Sequence, residues 1–254
     1  MKSLLLGGLL GCLWSGACAS VEVTAQAGFT QVSVGGDIAL AQGSSGAGVT
    51  AEQDVGSAFG LGDQQGSPYA RARFDFDGPV VTASGFLFRE RGQGVLDAAF
   101  GGISAATPVE TVLDFGCAKL TGAYDLDLGP VVVSPGIAVD VFDLDFQVSD
   151  TTFGNREEID EIVAVPMLFV RAAAAVGALG FVGEVGYVGT PEVGDSKGSL
   201  LDAEAMVEWS LAPRGELFAG YRFLDIDANG DTGSESFVLD LHVGGWFVGG
   251  GIHF

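Results

Sequence analysis

Between positions 201 and 211 every second residue is apolar. Leu201, Ala203, Ala205, Val207, Trp209 and Leu211 alternate with Asp202, Glu204, Met206, Glu208 and Ser210. Successive side chains of a strand point to opposite faces, so this spacing builds a strand with one greasy face and one carboxylate-bearing face; a helix would scatter the glutamates around its circumference. The pattern recurs at 68–77 and 217–223, and less regularly at 29–40, 80–89, 109–124, 131–146, 163–176 and 179–187. The chain is therefore expected to be all-β.

Two kinds of connection alternate along it. Tight turns fall at 77–78, 127–130, 177–180 and 212–215, where Gly and Pro supply hairpin dihedrals. Longer polar stretches fall at 43–66, 92–107, 149–160, 190–199 and 225–234. This rhythm implies about ten strands, with 8 or 12 as the neighbouring even counts, and both termini on the short-turn side. The expected fold is a closed antiparallel transmembrane β-barrel occupying 20–254, with no linker dividing it. The apolar run 162–183 also has the length of a membrane helix, but Pro166, Arg171 and the Gly177–Gly180 turn break it into two strands.

The first residues have the layout of a signal peptide: Lys2, an apolar stretch from Leu4 to Trp14 too short to span, and the small-x-small site Ala17-Cys18-Ala19. Cleavage after Ala19 is expected, giving a signal peptide at 1–19. A lipidated Cys18 is the other reading of the same site, although Ser15 stands where an aliphatic residue is usual. Cleavage leaves Cys117 as the only cysteine, so no intramolecular disulfide is available.

Alternation alone does not say whether the apolar face points inward or into lipid. Lipid is favoured because the apolar faces are rich in Ala and Gly, and because Tyr124, Tyr187, Trp209, Tyr221 and Trp246 fall toward strand ends, where interfacial aromatic girdles belong. The chain also stops on Phe254. Trp246, Val248, Gly250, Ile252 and Phe254 share a face, while Phe237, Leu239, Leu241 and Val243 are out of phase with them, which predicts a bulge at Gly244-Gly245. This last strand, with Trp246, Val248, Ile252 and Phe254, resembles the C-terminal assembly signal of Gram-negative outer-membrane proteins. Together with the leader and the strand rhythm, the chain resembles small outer-membrane barrels of OmpA-type and OmpW-type architecture. That resemblance implies outer-membrane location, lipid contacts, and handling by periplasmic chaperones and the barrel-assembly machinery.

The polar faces then line the lumen: Arg71, Arg73, Arg89, Arg171, Arg222, Glu184, Asp202, Glu204, Glu208, Asp240 and His242, with Asp75 and Asp140. Opposite charges in so narrow a cylinder are expected to pair and fill it. The expected function is an envelope structural protein or a narrow porin-like channel, cation-preferring if open because carboxylates outnumber arginines. With 33 Asp+Glu against 11 Lys+Arg, and a net charge of -22, nucleic acid is excluded as a partner. A soluble periplasmic binding barrel with an apolar interior is a further reading.

Chemical motifs are sparse. Asp240 and His242 share a strand face, and a serine such as Ser210 would complete a hydrolase triad; no local motif marks that serine, so the expectation is no catalytic residue. Asp225, Asp227 and Asn229, with Gly230 sixth, resemble the start of a calcium loop, but Ser236 stands where the twelfth-position Glu belongs. Two histidines and one mature cysteine make no zinc set, and the Gly-rich run 244–251 precedes no helix or lysine, so no cofactor is expected.

Overall fold

The computed structural model describes residues 21–42, 51–189, 192–193, 196–232 and 235–254. The expected leader at 1–19, with Cys12 and Cys18, lies outside the described residues.

Ten long strands follow one another: β1 (Glu22–Gln42), β2 (Gln65–Asp75), β3 (Pro79–Val95), β4 (Pro108–Tyr124), β5 (Val131–Asp150), β6 (Arg156–Val176), β7 (Leu179–Val188), β8 (Ser196–Ala212), β9 (Gly215–Thr232) and β10 (Glu235–His253). Each pairs antiparallel with the next, and β10 pairs with β1 from His253 opposite Thr24 to Glu235 opposite Gln42. The sheet therefore closes on itself. Closure satisfies the backbone groups of every strand, which hydrocarbon demands because it offers no hydrogen bonds of its own. The run 162–183 forms parts of β6 and β7 around a turn with Gly177 at φ 64°. Between β2 and β3, Asp77 (φ 61°) and Gly78 (φ 124°) both take left-handed dihedrals, the requirement of a two-residue hairpin whose twist matches its strands.

Several of the longest strands keep one phase, yet the polarity of their faces changes places halfway up. On β5 the outward residues Val131, Val133, Pro135, Ile137, Val139 and Val141 are followed by Asp143 and Asp145, while inward Ser134 and Asp140 give way to Phe142, Phe146 and Val148. β9 behaves alike: outward Leu217, Ala219, Tyr221 and Phe223 precede Asp225 and Asp227, while inward Glu216 and Arg222 precede Leu224 and Ile226. The half near the tight turns is thus greasy outside and polar inside; the half near the long connections is acidic outside and greasy inside. The ten residue-to-residue steps from Val131 to Val141 span roughly 33 Å of strand, about 25 Å once tilted, which matches the apolar band of a membrane barrel.

This exchange corrects the expected bulge. β10 runs in unbroken register with both neighbours through Gly244 and Gly245. Leu239, Leu241 and Val243 are apolar because they face the packed interior, and Trp246, Val248 and Ile252 because they face outward. The two sets belong to different media, so one regular strand reads as two phases. The strands also run farther than expected beyond the band: β9 takes in 225–232, and only 151–155 separate β5 from β6.

Candidate functional site

A network of buried charges crosses the lumen at the height of the apolar band. Arg71 on β2 donates to both Glu204 and Glu184, from β8 and β7. Lys119 on β4 lies 3.3 Å from Glu184 and 3.0 Å from Asp202. Arg222 on β9 grips Asp202 through Nε and Nη2, both at 3.0 Å, with Asp140 at 3.6 Å. Arg171 approaches Glu184 at 3.7 Å. The four cations and four carboxylates named here balance, and each side chain is at most 7% exposed. Charges taken out of water persist only when paired, and each of these four cations lies within 4 Å of a carboxylate. Lys119 was absent from the sequence-derived set, although it shares strand parity with buried Phe115 and Cys117.

Above the network the lumen is filled by hydrocarbon. The connection between β1 and β2 turns inward and buries Val55, Phe59 and Leu61, and that between β3 and β4 buries Leu96, Phe100 and Ile103. Phe59 meets Phe100 and Phe146 edge-on at centroid distances of 5.2 and 5.3 Å. Glu90 holds the first connection in place, its Oε1 accepting from the amides of Gly62 and Asp63 at 2.8 Å. Asp54 accepts from the Ser57 amide at 2.7 Å and its hydroxyl at 2.9 Å, and these bonds hold its carboxyl below the usual aspartate range. Between Tyr69, Phe86, Arg222 and Phe247 the free space is about 10 Å³, at most room for a single water.

Three of the expected lumen residues point the other way. Arg89 pairs with Asp114 at 3.3 Å on the outer wall, and Asp240 and His242 are about half-exposed there. All three stand above the apolar band, where the charged face is the outward one. Arg73, Asp75 and Glu208 do face inward, near the tight-turn mouth. Asp225, Asp227 and Asn229 lie on β9 rather than in a loop, and side chains two apart on a strand are separated by roughly 7 Å, too far to wrap one calcium ion. Asp225 instead meets His242 Nδ1 at 2.8 Å, with Asp240 at 3.7 Å from Nε2. Ser210 pairs with Glu216, itself opposite Gly251, nine residues along β10 from His242 and so roughly 30 Å away; these residues assemble no triad.

The outward aromatics form two levels. Trp209, Tyr124 and Phe254 lie at the tight-turn end, and Tyr221 and Trp246 pack edge-on at 4.9 Å higher up, with Tyr187 also exposed. Val248 and Ile252 fill the belt between.

The tight-turn mouth holds a polar cavity of about 250 Å³. Thr24 Oγ1 lies 3.0 Å from His253 Nδ1, and His253 Nε2 lies 3.0 Å from Glu216 Oε2. Gln26 Nε2 donates to Glu216 at 2.7 Å and Glu208 at 3.1 Å. Of these residues only Glu208 was expected at the site; the others come together because β1, β9 and β10 end side by side.

Neither a protein-family model nor a curated protein sequence matches the chain. Among solved structures, the outer membrane protease OmpT from Escherichia coli superposes with a TM-score of 0.59 at 8% identity, covering 92% of this chain and 97% of that one. Ail, the attachment invasion locus protein of Yersinia pestis, covers 92% and 99% at 14% identity with a TM-score of 0.40. The outer membrane protein AlkL covers 95% and 93% at 15% identity with a TM-score of 0.43. A closed antiparallel barrel, a continuous apolar outer belt and a charged interior at belt height identify the chain as an outer-membrane β-barrel.

Proposed function

We propose that the protein is a sealed structural barrel of the outer membrane, which carries an acidic, apolar-cored extension beyond the bilayer, and not a diffusion pore. One observation carries this reading: the lumen is occupied by two stacked fillings, the ion-pair layer and the phenylalanine-rich packing above it, each drawn from many strands. Outer-membrane lipids are the partner of the belt, and the Trp246–Phe254 strand is the segment offered to the assembly machinery. A soluble binding barrel is disfavoured because Leu87, Ile137, Leu168 and Val248, each at least 60% exposed, would face water. A hydrolase built on Asp240 and His242 has less support, since Asp225 lies at Nδ1 of the imidazole and Asp240 at Nε2, the positions a base–nucleophile pair would need. Planar-bilayer recording of the purified protein tests the proposal: the expected trace has no conductance steps, and resolved, cation-selective steps would overturn it in favour of a channel.

A further inference from the structure

We propose that the cavity at the tight-turn mouth binds a small zwitterion from the periplasm, of the class of free amino acids and dipeptides. Its two sides carry opposite and incompletely answered chemistry. On one side stands Arg171, whose side chain is 7% exposed and whose Nε has no hydrogen-bond partner; its nearest paired carboxylate, Glu184, is 3.7 Å away. Arg73 lines the same cavity but is engaged by Asp75 at 3.0 Å and Asp125 at 3.1 Å, so the incompletely answered donor on this side is Arg171. A carboxylate is the group that guanidinium forks accept in bidentate fashion.

On the other side Gln26 donates Nε2 to Glu208 and Glu216, which fixes its amide so that Oε1 cannot turn toward them. Gln26 is 5% exposed and Oε1 is left without a partner. An acceptor without a donor, beside the Glu208 carboxylate, is the environment an ammonium group satisfies, because each of its N–H bonds donates. The cavity volume of about 250 Å³ corresponds to roughly eight waters and accommodates a dipeptide. Buried polar atoms left unpaired cost free energy, and a zwitterion lying across the cavity answers both at once.

The test uses the full chain in detergent micelles and isothermal titration calorimetry with three probes: glycylglycine, N-acetylglycine and glycinamide. Saturable binding of glycylglycine is expected, with each capped analogue at least tenfold weaker. Arg171→Gln is expected to weaken glycylglycine tenfold or more, and so is Glu208→Gln, a half-buried position whose substitution leaves the central network intact. Absence of saturable heat at millimolar glycylglycine would mean a cavity filled by water only and would overturn the proposal. Equal affinity for the three probes, or unchanged affinity in a folded Glu208→Gln barrel, would overturn it as well.

Discussion

Arg222 shows how much one side chain holds. It binds Asp202 through two nitrogens, reaches Asp140, and stacks over Phe86 with its guanidinium carbon 5.5 Å from the ring centroid. Removing it leaves Asp140 buried without its cation and Asp202 with Lys119 alone, a loss that typically amounts to about 3–5 kcal/mol. Arg222→Met is expected to lower unfolding stability by about that much in urea titrations of the refolded barrel, and the Arg222→Met/Asp202→Leu pair to lose less than the sum of its single changes. A smaller effect belongs to Asp54. Its carboxyl is more acidic folded than unfolded, so the stabilisation it gives the inward connection is present above the ordinary aspartate pKa. It is lost as pH falls through the lower, folded value. Protection of the Ser57 amide from hydrogen exchange is expected to fall below that range in the native protein and to be insensitive to pH there in Asp54→Asn.

Elements carry the inward plug. Gly92 on β3 lies against the backbone of the β1–β2 connection, so a Cβ there would come within 2.4 Å of the Gly60 and Phe59 carbonyl oxygens. Gly92→Ala is expected to lift that connection off the barrel, with limited proteolysis cutting within 51–64 in the variant and sparing the native protein. At this scale the alternation made strand existence legible: the turns at 77–78 and 177–180 and the split of 162–183 into β6 and β7 were all readable from residue types. The strand ends were not. The stretch 225–231 reads as a loop because its Asp, Asn and Gly are common in turns, yet on β9 those acids are the outward face of a strand that has left the bilayer. Similarly, Arg89, Asp240 and His242 were placed inside on the premise that charge seeks the lumen. That premise holds for Arg71, Arg171 and Arg222, which lie at belt height, and fails above it, where water is outside.

At the scale of the whole molecule, one cylinder wall meets two solvents. Through the lower half the hydrocarbon is outside and the ion pairs are inside; through the upper half acids face water around a packed aromatic core. This arrangement reconciles a net charge of -22 and 48% hydrophobic residues within a single barrel. The inward closure of Phe59 and Phe100 was invisible in sequence, because their placement depends on loops folding over distant strands and not on periodicity. The exchange of faces is measured most directly by nitroxide labels placed singly at outward positions 137, 139, 141, 143 and 145 of β5, in a Cys117→Ser barrel reconstituted into lipid bilayers. Oxygen accessibility is expected to dominate through 141, and accessibility to a water-soluble nickel chelate from 143 onward. A profile without that crossover, or one with positions 143 and 145 in hydrocarbon, would contradict the two-solvent wall.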